Sequence, residues 1–174
     1  MGFKHLGANV KISDKASIYN PETIEIGNNT RIDDFCVVSG NIKLGNNIHI
    51  TPLCLIAGGT EGIEMHDFSG IGYHGKIFTQ SDDYTGLTLT NSTVDAEFKN
   101  EYRAKVIIGK HVIIGAGSLI FPGVEIAEGC SIGAMSLVHK STEPWGIYIG
   151  CPAKRLKDRS KEMLALEKLY LNKK

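Results

Sequence analysis

The stretch IGKHVIIGAGSLIFPGVEIAEGCSIGAMSLV, residues 108–138, has an aliphatic side chain at every sixth position: Ile108, Ile114, Ile120, Ile126, Ile132 and Val138. Four residues after each comes something small or β-branched: Val112, Ser118, Val124, Cys130, Ser136 and Thr142. A helix repeats every 3.6 residues and a single strand every two, so neither accounts for this period. A strand and a corner, repeated three times per coil, does account for it. One large and one compact inward position per repeat is what a narrow triangular solenoid has room to bury. The stretch predicts a hexapeptide-repeat parallel β-helix.

The same register runs upstream through Ile26, Ile32, Val38, Leu44, Ile50 and Ile56, with Thr30, Cys36, Ile42, Ile48 and Cys54 at the compact positions. Extra residues at 58–62, GGTEG, read as a corner insertion, after which Met65, Ile71 and Ile77 resume the ladder. Residues 1–11 read as a lead-in, and a first rough coil is expected from Val10 to Glu25 with Ile12 and Ile18 inward. The chain is therefore expected to be one all-β domain with coils over 10–81 and 106–142. Apolar helical stripes and strand-to-helix switches, which other classes need, are missing.

The ladder breaks at DDYTGLTLTNSTVDAEFKNEYRAK, residues 82–105, a polar run without the six-residue period. A long irregular excursion inside a repeat protein is usually functional. Its two ends sit on adjacent coils, so it must project as an arm. Past the coils, 143–154 reads as a binding tail. Residues 155–171 read as an amphipathic helix, with Leu156, Met163, Leu164, Leu166, Leu169 and Tyr170 available to pack. An open last coil exposes strand edges, and this helix is expected to cap it.

With 19 basic and 19 acidic residues among 174, the chain lacks the basic excess of a nucleic-acid binder. No apolar run approaches the ~20 residues of a membrane helix, and the start MGFKHLGANV has no secretory core; the cytoplasm is the expected compartment. Cys36, Cys54 and Cys130 fall on compact inward positions, so they read as core rather than as metal ligands or disulfides. Cys151 lies outside the ladder.

The repeated I-G units, the arm between coils, and a tail in which VHK is followed by GCPAKR resemble the left-handed β-helix acetyltransferases, in particular the branch of galactoside and maltose O-acetyltransferases and related polysaccharide-biosynthesis enzymes. The likeness covers almost the whole chain. It implies a homotrimer with active sites between subunits, acetyl-CoA as donor, a sugar or nucleotide-sugar acceptor, direct transfer, and no metal. The positions that match the family's CoA contacts are Ala116, Ala134, His139, Lys140, Lys154 and Lys157, and a backbone N–H of a coil would polarise the thioester carbonyl. Independently of the resemblance, a nucleotide phosphate needs cations, and Lys140, Lys154, Arg155 and Lys157 gather beyond the last coil.

In the O-acetyltransferases the arm opens with a histidine that deprotonates the acceptor hydroxyl; here Asp82 stands in that place. A free Asp, pKa about 3.9, is a weak base for a hydroxyl. Burial and repulsion from Asp83 would raise one carboxylate of the pair. His74 and His49, on the preceding coils, are the candidate bases for a hydroxyl acceptor, and Asp83, Tyr84 and Asn91 the candidate acceptor contacts. The first expectation is O-acetylation of a sugar in surface-polysaccharide or lipopolysaccharide biosynthesis. The alternative is N-acetylation of a nucleotide-linked amino sugar, since a neutral amine attacks with little help from a base. A γ-type carbonic anhydrase using His66, His74 and His111, and a non-catalytic scaffold, are more distant readings. Neither has a use for the basic tail.

Overall fold

The computed structural model describes residues 2–173. Six coils each lay one strand on each of three long faces, from His5–Leu6, Lys11–Ile12 and Ser17–Tyr19 to Glu125–Ile126, Ser131–Ile132 and Leu137–Val138. All pairing between coils is parallel, and on the first face Ile26, Leu44, Met65, Ile108 and Ile126 stack in register. Ile32, Ile50, Ile71, Ile114 and Ile132 do the same on the second face. On the third, Val38, Ile56, Ile77, Ile120 and Val138 follow suit. All fifteen are at most 2% exposed. Each such side chain contributes about 1.5–3 kcal/mol by leaving water, which makes the ladder the main source of stability.

The compact positions close the corners between faces. Ser118 Oγ donates to the Gly133 carbonyl at 2.9 Å and Cys36 Sγ to the Thr51 carbonyl at 3.1 Å, so these buried polar atoms are satisfied. Cys36, Cys54 and Cys130 are buried free thiols, as the repeat predicts. The first corner passes through Asn29, Asn47, Phe68, His111 and Trp145, and the second through Phe35, Leu53, His74 and Met135, all at positive φ. The insertion at 58–62 is a widened third corner, where Gly62 takes φ 90°.

The two ends depart from the sequence reading. His5–Leu6 pairs with Glu25–Ile26, so the first coil opens at residue 5 rather than at 10. Residues 155–158 are not helical: Ala153–Asp158 is a strand, antiparallel to Gly146–Gly150, which itself lies parallel on Ser131–Ile132. The reason is the open edge of the second face, whose N–H and C=O groups this hairpin satisfies. The Arg155 guanidinium also covers the Tyr148 ring at 5.8 Å.

The helix is limited to Met163–Leu171 and does not cap the end of the solenoid. It runs back beside the first corner, where Glu167 meets Lys110 at 2.6 Å and His111 at 2.9 Å, and Tyr170 donates to Asn47 Oδ1 at 3.2 Å. Arg159 Nη1 donates to the carbonyls of His111, Gly129 and Cys130, which pins the connecting segment. No helix among the described residues is long and apolar enough to cross a membrane.

Candidate active site

The second corner changes character above the third coil. The residue after the inward aliphatic is Ser13, Asp33 or Thr51 in the lower coils and Gly72, Gly115 or Gly133 in the upper three. A Cβ at Gly72 would stand 2.8 Å from the Ala116 nitrogen, and one at Gly115 would collide with the Ala134 nitrogen. Glycine lets the coils stack this closely. Ala116 and Ala134 therefore sit one above the other, with Met135 N–H donating to the Ala116 carbonyl at 2.8 Å and Gly117 N–H to the Tyr73 carbonyl at 2.8 Å. Among the described residues the Ala116 N–H itself meets no acceptor. The reading of sequence picked out the two alanines but not the glycine column, whose signal is the repeated Ile-Gly at 71–72, 114–115 and 132–133.

The arm leaves at the third corner. Gln80–Ser81 and Tyr102–Arg103 pair antiparallel and close its neck. Beyond them a pocket of about 410 Å³ is lined by Asp82, Asp83, Tyr84, Asn100, Glu101, Tyr102 and Arg103. The predicted acceptor contacts thus come partly together, but they are not equivalent. Asp83 Oδ1 accepts from Thr85 N–H and Oγ1 at 2.8 and 2.7 Å, and Oδ2 from Thr88 N–H and Oγ1 at 3.2 and 3.1 Å. Those donors, Thr85 first, hold the Asp83 carboxyl below the usual carboxylate range, so Asp83 is not the raised member of the pair. Asp83 folds the arm. Asn91 does likewise, accepting from Thr93 N–H and Oγ1 at 2.9 and 2.6 Å. Asp82 is far less committed, since its Oδ1 accepts only the long 3.4 Å bond from Asn91 N–H. Tyr84 stands in solvent, 90% exposed.

His74 lies just before strand Lys76–Phe78 and Asp82 beyond its far end, so the two occupy opposite corners of the third face. At about 3.3 Å per residue, one chain does not bring them into contact. His49 lies on the outer side of the second face, where its Nε2 bonds Asp33 Oδ2 at 2.8 Å. It belongs to a different surface from both. His66 and His111 flank the first corner and His74 the second, so the set considered for zinc does not converge, and no metal-ligating cluster occurs among the described residues.

The tail cations are better organised than their sequence spacing implies. In the hairpin Lys154 is opposite Ile149 and Lys157 opposite Ile147, because the register shifts by one residue between Ile147 and Tyr148. Without that bulge the two lysines would alternate across the sheet; with it they share one face. Arg155 is on the Tyr148 side and bonds Asp158 at 2.8 Å. His139 and Lys140 follow the last strand of the third face and are exposed, on the other side of the second corner from the hairpin.

The chain has relatives along nearly its whole length. The chain is 43% identical over 173 residues to the dTDP-4-amino-4,6-dideoxy-D-glucose acyltransferase of Escherichia coli, covering 98% of this chain and 90% of that one. It belongs to the hexapeptide-repeat acyltransferases. No family model matches the acyltransferase. AntD, an N-acyltransferase from Bacillus cereus solved with dTDP and 3-hydroxybutyryl-CoA, is 46% identical with a TM-score of 0.97, covering 99% of this chain and 92% of that one. A maltose O-acetyltransferase from Clostridium difficile 630, at 23% identity and TM-score 0.55 over 91% and 71% of the two chains, shares the fold alone. The left-handed β-helix expected of the acyltransferase therefore stands, with its projecting loop and C-terminal helix.

Proposed function

We propose that the protein transfers an acyl group from acyl-CoA to the amino group of a dTDP-linked aminodideoxy sugar. The observation that carries this reading is the end-to-end likeness to two acyltransferases whose names specify such an acceptor or an N-acyl product. The hydroxyl acceptor that the sequence puts first gives way to the amine that it keeps second. The arm agrees: it opens with a carboxylate, which attracts an ammonium, and not with a histidine base.

The Ala116 N–H faces the thioester oxygen, and Lys154 and Lys157 meet the phosphates of CoA from the shared face of the hairpin, with Lys140 on the far side of the groove. Asp82 orients the neutral sugar amine and takes the proton that its nitrogen sheds once it is bonded to carbon. The neutral nitrogen attacks the thioester carbonyl carbon, and the charge gathering on oxygen is stabilised by the backbone N–H. The C–S bond then breaks, and the departing thiolate receives the proton that the nitrogen gave up. No side-chain nucleophile is needed.

The separation of Asp82 from the Ala116 corner argues for a trimer in which one subunit's corner faces its neighbour's arm. Phe35, Leu53, Tyr73 and Met135 expose apolar surface along that corner, and Val37, Leu55, Leu119 and Leu137 extend it over the third face on either side of the exposed Lys76. Surface of this kind marks an interface. The first face carries paired charges instead, Lys4 with Glu25 and Lys105 with Glu64, both at 2.7 Å.

The deciding experiment is thiol release from acetyl-CoA with dTDP-4-amino-4,6-dideoxyglucose, against neutral glycosides. Turnover with the amine alone is expected. Turnover confined to hydroxyl acceptors would overturn the reading and return attention to His74 and His49.

A further inference from the structure

One residue beyond Ala116 the second corner carries no side chain of its own. Gly117 takes φ +70°, a left-handed conformation, and bears no side chain. His74 precedes it in the stack of corner residues and Met135 follows it, each at positive φ. The Met135 side chain reaches back over Gly117, since a Cβ on that glycine would collide with Met135 Sδ. Within one subunit little packs on this thioether, for Met135 is 75% exposed there. Its backbone is fixed to the residue that matters, through the 2.8 Å bond from Met135 N–H to the Ala116 carbonyl.

We infer that the Met135 side chain is the wall met by the acyl chain, and so sets the acyl length that the protein transfers. The inference rests on the proposed function, in which the thioester oxygen lies at Ala116 N–H. The carbonyl substituents then spread along the corner, sulfur toward the basic tail and the acyl carbon toward Gly117 and the thioether that lies over it. An unbranched, three-torsion side chain filling the space above a bare glycine forms a wall whose position is altered at one residue without touching the backbone. Apolar chains that differ by a methylene are separated by such a wall about 10- to 200-fold.

The test uses Met135→Ala and Met135→Phe in the intact protein, with acetyl-CoA and butyryl-CoA. Two ratios are read for each variant: kcat/KM with dTDP-4-amino-4,6-dideoxyglucose, and Kd by calorimetry without any acceptor. Met135→Ala is expected to move both ratios toward butyryl by about tenfold, and Met135→Phe to move them toward acetyl. Ratios that stay within about twofold of the parent in both variants would overturn the inference. If the binding ratios move while the amino sugar supports no turnover, the inference stands and the assigned acceptor falls.

Discussion

Asp82 and Asp83 are neighbours in sequence with unlike tasks. Asp83 spends both oxygens on Thr85 and Thr88 and so shapes the arm, whereas Asp82 accepts only the long bond from Asn91 N–H. Asp82→Asn is expected to lower kcat by about 10²-fold or more with little change in acyl-CoA affinity, as for loss of a positioned proton acceptor. A variant with normal kcat would remove Asp82 from the mechanism. Asp83→Ala should instead loosen the arm, speed its proteolysis and raise the acceptor KM. Glu167 offers a test on the opposite side of the molecule. Its bond from Lys110, aided by His111, holds its carboxyl below the usual 4.5 in spite of desolvation. A carboxyl lowered on folding stabilises fully above its unfolded value and loses that contribution as pH falls through the folded one. Helix docking should therefore weaken below about pH 4.5, read through Trp145, the one tryptophan, whose ring is 6.4 Å from His111. Glu167→Gln should abolish this acid step.

At the level of elements, the coils were legible and the tail was only half so. A six-residue period leaves one buried aliphatic per strand, and burial is a local demand that any single repeat can reveal. The strand Ala153–Asp158 exists because the outer edge of Gly146–Gly150 needs a partner, which is a demand of the assembled sheet. Its Leu156, Lys157 and Asp158 fit an amphipathic helix just as well. The lysines were found by their composition, but their common face comes from a bulge that has no signature in sequence. Lys154→Ala and Lys157→Ala should each weaken binding of acetyl-CoA about tenfold, the loss of a charge-assisted contact. Neither should affect acetyl-pantetheine, which lacks the nucleotide phosphates; equal losses for both donors would disprove the assignment.

For the whole molecule, the site was legible as two halves rather than as one place. Sequence gave each half its residues, Ala116 and Ala134 on a corner and Asp82 on an arm, but the distance between them is a property of the triangular cross-section. On the proposed function, a second chain brings them together. Phe35→Glu is expected to convert a particle of about three times 18.9 kDa into folded monomers and to abolish turnover with it. Sedimentation and circular dichroism check the first point, and thiol release the second. An active monomer would contradict a site shared between subunits.

The neck of the arm is only two residue pairs wide, Gln80–Ser81 against Tyr102–Arg103, and it leaves and rejoins the solenoid on neighbouring coils. Whatever lies between these pairs can be exchanged without shifting a single rung of the ladder. If the arm recognises the acceptor as proposed, that recognition is a cassette separable from the rest of the coil. A graft at this neck should carry a new sugar preference into the old scaffold.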